Sequence, residues 1–521
     1  MTKAEVLAVS SSSDVSGTAS VAAPQGFRLT HVLRGHTSDV RSVATTFDSL
    51  SVREALLSGS RDETATYWSR SVNPSGPSSN PNAGFERGAI FHGHRFCNAV
   101  DFVTPSPSFE LPQGQILMGS LDSQIRCFDP LRADKPLQVL SDHWDNVSVL
   151  KAYRHRTEGE TAVPVFISAS WDKTARVWIW DPVEGKWKSR LVLRGHDEAV
   201  WGVQIVEPPS SAVLEGDPEL PNQGRYLTSS ADLFIRLFHG EQLYAVYAGH
   251  TDVVRSLHIL PTLPSSHIAD VEAEEPAKND ARPPFYPDEQ LFASTSNDGT
   301  IRIWSLDARR SPNPGNGGEA LGVLHGHTSL VYDVAAYIER GTGQPRLVSS
   351  GEDGSFRVWD WVSGKLLQTV PVPVVSVWSI SVLPQTQDVV AGCSDGLVRI
   401  YSRRPCPPSA ADSEFSGAPL SESELADEVQ RAQDVQAQLT LATQAKESST
   451  EASPDEPGQM HDGKSYDYVL QIDVSDDAEP LPFPINRDDD RRQGAADFVA
   501  LHQLPESYVE RIVEFVNLVL G

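Results

Sequence analysis

The sequence predicts an all-β fold, a closed ring of seven four-stranded antiparallel sheets, on three observations. First, an Asp is followed six residues later by an aromatic seven times: Asp62 to Trp68, Asp122 to Phe128, Asp172 to Trp178, Asp232 to Phe238, Asp298 to Trp304, Asp353 to Trp359 and Asp395 to Tyr401. Arg stands four residues after the Asp in every copy but the first, which has Thr66. Second, Gly-His or a relic of it precedes six of the copies, at His36, His94, His143, His196, His250 and His327, and the seventh has lost it. Third, the stretches between these markers alternate or run apolar at strand length, as in VRSVATTF, REALLSGS and TIRIW.

The elements follow in order within each unit. Two apolar-rich strands lie between the His and the Asp, as in VYDVAAYI and PRLVSSG. A third strand of strict alternation follows the Asp, and a fourth, such as LTHVLRG or LQVLSDH, precedes the next His. A lone four-stranded sheet has two apolar faces and two raw edges, so units of this kind must stack radially to cover themselves. The seventh unit lacks a fourth strand after Tyr401, and the unpaired strand Phe27 to Leu33 is expected to supply it, so that both ends of the array seal the ring. Glu207 to Gly224, Pro261 to Asp288 and Asn73 to Gly84 are Pro-, Gly- or acid-rich and are expected to be solvated insertions.

Composition agrees and excludes several functions. The 37 Pro and 36 Gly of 521 residues suit a chain of many turns. A formal charge of −27 opposes nucleic acid or an anionic membrane as main partner, since both are repelled at long range. Four widely spaced Cys, without a C-x-x-C pair, suggest neither a disulfide framework nor a zinc site. The first residues lack the basic start and apolar core of a signal peptide, and the most apolar run, Val370 to Leu383, is too short to span a bilayer and holds Pro371 and Pro373. The expected location is cytoplasmic and nuclear. No nucleophile elbow, P-loop or metal-ligand cluster appears, so no catalytic residue, metal or cofactor is expected.

The repeated His, Asp and aromatic signature resembles the WD-repeat family, in which each unit is one blade of a β-propeller; the resemblance covers residues 27–404 and implies seven blades. It implies further that the Gly-His imidazole and the turn Asp hydrogen-bond each other within a blade, in a network with a Ser or Thr and the Trp indole. His36, Asp62, His94, Asp122, His143, Asp172, His196, Asp232, His250, Asp298, His327, Asp353 and Asp395 are therefore read as frame. An active site is needed once, whereas these pairs recur. The Arg of the third strand is expected to lay its stem along the blade.

Propellers bind ligands through one rim of the central channel, and the informative position lies a few residues after each Gly-His. Blade by blade it holds Arg41, Asn98, Ser148, Trp201, Arg255, Tyr332 and Trp378. Five of the seven are Arg, Trp or Tyr, the types enriched at binding hot spots because they join large contact area to a polar handle.

After Arg404 the composition changes. Residues 405–463 read as an acidic linker with a helix over 422–446, opened by a capping box from Ser421 to Glu424 and carrying Leu425, Val429, Ala432, Val435, Leu439 and Ala442 at spacings of three and four. Residues 447–463 return to a disorder-like composition, and 1–26 form a similar head. Over 464–521, YDYVLQIDV and PLPFPIN read as strands, and helices follow around FVALHQL and PESYVERIVEFVNLVL, with Tyr508, Ile512, Phe515 and Val519 on one face. This segment resembles the PFU domain, a ubiquitin-binding module, shortened at its start. The order of WD-repeat ring and PFU segment is that of the phospholipase A2-activating protein family.

That resemblance implies a non-catalytic adaptor in ubiquitin-dependent degradation and ubiquitin recycling, with ubiquitin and polyubiquitin chains as partners. Arg41, Trp201, Arg255, Tyr332 and Trp378 on the rim would meet ubiquitin's apolar patch, and Asp39 and Asp252 would pair with the basic residues around it. In the PFU segment Tyr468, Phe483 and Phe498 are the candidate contacts. The AAA+ ubiquitin-selective unfoldase is a further partner of the family, docked by a helical-repeat PUL domain not expected in a sequence that stops at Gly521. The competing reading is a general WD-repeat scaffold, for instance a ubiquitin-ligase substrate receptor.

Overall fold

The computed structural model describes residues 26–48, 52–72, 84–153, 163–208, 224–262, 289–307, 315–404 and 417–450, and in the C-terminal segment 459–461, 464–466, 468–472, 481–486, 489–502, 504, 508–509, 512–513 and 516. The expected head up to residue 25, the bodies of the three insertions, residues 405–416 and 451–458 of the acidic linker, and Phe515 and Val519 lie outside these residues. The chain divides into two compact units, Met1–Leu439 and Thr440–Gly521.

The first unit contains seven blades, six of them with their four antiparallel strands in chain order from the channel outward and the seventh with three strands in that order and its outer strand from the start of the array. Blade 1, for example, runs Val40–Asp48, Arg53–Ser60, Thr64–Ser71 and Glu86–His92. The first strands of successive blades contact one another all the way round, and Val377–Val382 of blade 7 returns to Val40–Asp48 of blade 1. The core sits between blades. Trp68, for instance, packs with Val40 and Leu56 of its own blade and with Val390, Val398 and Ile400 of blade 7. Trp68, Trp178, Trp304 and Trp359 are fully buried at this layer. Large side chains buried this way contribute about 1.5–3 kcal/mol each. Blade 4 gains a fifth, parallel strand, Gly315–Asn316, on its outer edge.

The ring closes as the sequence predicts. Arg28–Leu33 pairs antiparallel with Val398–Ser402 as the outer strand of blade 7, with Leu33 opposite Val398. A second fastening is not visible in the repeat pattern. Arg70 of blade 1 donates to Glu54 of its own blade (3.0 Å) and to Asp388 of blade 7 (2.5 Å). Glu54 in turn accepts from the backbone amides of Gln385 and Thr386 at 2.8 and 2.7 Å. All three charged groups are buried. Removing one partner of such a cluster strands the others without water.

Helix α1, Glu422–Thr450, starts with the expected capping box: Glu424 accepts from the Ser421 amide (3.0 Å) and Ser421 Oγ accepts from the Glu424 amide (3.2 Å). Its docked face keeps part of the apolar stripe and adds polar contacts to it. Val429 is 48% exposed, whereas Glu428 is buried and accepts from Arg399 Nε of blade 7 at 2.9 Å. Further along, Gln436 Nε2 donates to the carbonyls of Asp353 and Gly354. Gly354 has φ +63°, and a Cβ there would stand 2.7 Å from that amide nitrogen. An ion pair and a backbone contact thus join buried Ala432 and half-buried Leu425, Val435 and Leu439 in holding α1 to the ring.

In the second unit, Tyr468–Ile472 and Leu481–Ile485 form a hairpin, and helix α2, Arg491–Leu501, starts at Asp490, whose side chain accepts from the amides of Arg492 and Gln493. Gln459–His461 pairs with Lys464–Tyr466, so pairing begins inside the stretch read as disorder-like. Phe483, Ile485, Ala495, Phe498, Val499, Ile512 and Val516 form its core.

Candidate ligand-binding rim of the central channel

Two belts of side chains ring the first unit near the turn that carries each repeated Asp. The outer belt lies inside the blades. His143 Nδ1 donates to Asp172 Oδ2 at 2.6 Å, Ser168 Oγ donates to His143 Nε2 at 2.8 Å, and the Trp178 indole donates to Ser168 Oγ at 2.9 Å. The Asp thereby sets the tautomer, and the hydroxyl relays the network to the Trp. The same chain joins His36, Asp62, Ser58 and Trp68; His250, Asp298, Ser294 and Trp304; and His327, Asp353, Ser349 and Trp359. Blade 4 keeps His196, Asp232 and Thr228 and ends at Phe238, which has no donor.

Burial works to raise the Asp172 carboxyl, but the hydrogen bonds from His143 and Thr174 outweigh it and hold it at about 2. Burial lowers His196 and His250, keeping both imidazoles neutral.

Blade 2 corrects the sequence reading: no hydrogen bond joins His94 to Asp122 among the described residues. Arg126 takes that carboxylate in a fork, at 3.2 and 2.6 Å. The reasons are local. Met118 stands where the five other blades that carry the His have Ser or Thr, so the imidazole has no hydroxyl to its far side, and His94 lies four residues before Asn98 where its counterparts lie five before theirs. Blade 7 lacks the Gly-His imidazole, and Arg399 binds Asp395 at 3.0 and 2.7 Å while Glu428 completes the guanidinium's partners. The third-strand Arg also returns to its own Asp at Arg236 and Arg357.

The inner belt surrounds the channel mouth. In every blade the first strand has a register shift near its start, and the residues skipped there are Arg41, Asn98, Ser148, Trp201, Arg255, Tyr332 and Trp378. A bulge re-aims the extra side chain out of the ladder. All seven line one cavity of about 280 Å³. The positions read from the register are therefore brought together.

Their contacts form a continuous arc. Trp171 lies 5.3 Å from Trp201, Arg255 lies 4.3 Å over Trp201 and 5.6 Å over Tyr332, Tyr332 lies 4.5 Å from Trp378, and Arg41 lies 3.6 Å over Trp378. Alternating cation and ring in a partly dry mouth strengthens each contact. Burial, with Arg61 nearby, lowers Arg41 to about 10, and burial also raises the Tyr332 phenol. Asp39 is held by Arg61 at 3.2 Å, while Asp252 is exposed and accepts from the Val253 amide.

A second set of mouth residues was missed from sequence. The residue before each repeated Asp donates its amide to the carbonyl two residues before the bulge, at 2.9–3.1 Å in all seven blades. That bond places Arg61, Leu121 and Trp171 in the cavity wall beside Phe96. The position before the Asp was readable from the same register, and its variability is the signal. In the second unit, Phe483 and Phe498 do not serve as contacts: they are 2% and 5% exposed and meet edge to face at 5.1 Å in the core, and Tyr468 packs against that core in part.

Comparison with known proteins follows the two units. The PFU (PLAA family ubiquitin binding) family matches residues 443–519, starting earlier than the boundary of 464 read from sequence. The WD domain, G-beta repeat family matches 27–69, 134–178, 279–305 and 318–360. Ubiquitin homeostasis protein lub1 of Schizosaccharomyces pombe is 29% identical over 94% of this chain and 60% of its own length. Protein DOA1 of Saccharomyces cerevisiae is 28% identical over 94% and 61%, and the ubiquitin fusion degradation protein 3 homolog of Caenorhabditis elegans 26% over 94% and 46%. This chain thus spans about half to three fifths of the length of these relatives. The crystal structure of the WD40 β-propeller domain of Doa1 aligns with a TM-score of 0.51 at 28% identity, covering 73% of this chain and 98% of that one.

Proposed function

For a chain that belongs to the phospholipase A-2-activating protein family of ubiquitin-binding WD proteins, we propose the role of a non-catalytic ubiquitin adaptor that binds through the channel mouth and the PFU segment. The observation that carries this reading is the inner belt: seven bulged residues, five of them Arg, Trp or Tyr, in one contiguous mouth. Phe96, Trp171 and Trp201 offer apolar area for a flat hydrophobic patch, and exposed Asp252 offers an acceptor for basic groups beside it. Asp39 contributes through Arg61.

The outer belt supports the non-catalytic part. Its imidazoles are saturated by Asp and hydroxyl partners in five blades, so none is poised to move a substrate proton. Weak binding at the mouth combines with the PFU segment on a polyubiquitin chain, where effective concentration supplies affinity. Cytoplasm and nucleus are the compartments that supply these chains. The unfoldase partner belongs to the same proposal only through a segment that would carry PUL.

The test is titration of ¹⁵N-labelled ubiquitin with residues 26–442, alone and as Trp201→Ala. Saturable shifts that weaken at least about tenfold in the variant are expected, in line with a buried aromatic hot spot. Absence of shifts with the unsubstituted ring would overturn the reading.

A further inference from the structure

Arg41 differs from the other arginines at the mouth. Arg61 is paired with Asp39, and Arg255 donates from Nε to Asn297 Oδ1 at 2.8 Å with Asp252 and Glu352 close by. Arg41 makes no hydrogen bond or ion pair among the described residues, and its Nη1 is buried without a partner. The indole Nε1 of Trp378, the ring on which Arg41 lies, is buried without a partner too. Two orphaned donors in the lining of one cavity are costly to leave without acceptors. The carboxylate of Asp333, which lines the same cavity, is already engaged by Ser256, Ser379 and the amides of Val334 and Ile380.

We infer that the channel mouth at Arg41 and Trp378 is a carboxylate-binding subsite, taking either an acidic side chain or a chain-terminal carboxylate of a peptide partner. A guanidinium fork and an adjacent N–H donor match a planar, singly charged acceptor. The Trp378 and Tyr332 rings bound the site on one side and suit an extended backbone rather than a bare ion. This subsite rests on the reading of the mouth as a ligand face and adds to it the chemistry of one contact.

The test uses the full chain carrying 5-fluorotryptophan, with the Trp378 resonance assigned by its loss in Trp378→Phe. Four probes are titrated: acetyl-triglycine with a free carboxylate, the same peptide amidated, amidated acetyl-glycyl-aspartyl-glycine, and inorganic phosphate. One or both carboxylate peptides should shift the Trp378 resonance saturably, the tighter one identifying the source, while the amidated triglycine should not. Arg41→Gln should weaken that binding at least tenfold, and Arg41→Lys, which keeps charge without the planar fork, by less. Equal response to the amidated peptide, unchanged binding by Arg41→Gln, or tighter binding of phosphate than of both peptides would overturn the subsite. Ubiquitin binding measured on the same samples separates the two claims. Ubiquitin held equally well by Arg41→Gln with no carboxylate response removes the subsite alone, and carboxylate binding without ubiquitin binding removes the ubiquitin reading alone.

Discussion

The two belts use the same blades in opposite ways. In the outer belt the residues repeat and the imidazole, carboxylate and hydroxyl groups are paired: His, Asp and hydroxyl close on one another in five blades, and Arg closes on Asp in the other two, while Arg176, Arg302 and Arg357 of the third strands keep a buried Nε without a partner. In the inner belt the position repeats but the residue changes from blade to blade, and Arg41 and Trp378 keep donors without partners. Repetition with satisfaction marks a frame. A fixed geometric position with varied side chains and unmet donors marks a surface built for something else to complete it.

Substitutions should therefore split into those that unfold the ring and those that only blind it. The largest effect is expected at the closure, where Glu54→Ala strands Arg70 among buried partners; a loss of roughly 3–5 kcal/mol should appear in the urea midpoint. Acid should act on the frame as well. Burial, helped by Arg70, lowers His31 to about 4 from an ordinary 6.5, so between those values the unfolded chain binds more protons than the folded one. Stability is then full above pH 6.5 and falls as pH drops toward 4, by about 3 kcal/mol from His31 alone. Urea midpoints at pH 7.5, 5.5 and 4.5 check the sign, and a flat profile contradicts it.

The outer belt itself offers a matched pair. His143→Ala leaves Asp172 and Ser168 buried without their partner and should cost about 2–3 kcal/mol. His94→Ala removes a side chain that makes no such bond and should stay within about 0.5 kcal/mol of the parent in the same melt. Equal losses at the two positions would mean that the His contributes by packing rather than through the network.

Much of this was legible because a period of about fifty residues multiplies each weak signal. Seven copies fixed the register, the closing strand and all seven bulge positions, although the bulges themselves follow from pairing geometry that a single strand does not display. The rest depends on contacts across distance. Glu54, Arg70 and Asp388 meet only because the ring closes. Glu428 reads as a surface residue of an Ala-rich helix until Arg399 is placed beneath it. His94 carries the repeat signature intact, and its failure comes from one missing residue and a Met on the neighbouring strand. In the second unit an aromatic such as Phe483 or Phe498 suits a contact or a core position equally well on sequence alone, and it is Ile512 and Val516, packed in the same cluster, that place both in the core.

The central claim is that the mouth binds and the belt holds. Its most direct test is the ubiquitin dissociation constant of residues 26–442 carrying Trp201→Ala and Trp378→Ala together, measured on protein whose melting temperature is shown to match the parent. We predict a loss of at least about tenfold with folding preserved; a parent-like constant in the folded double variant would contradict the account.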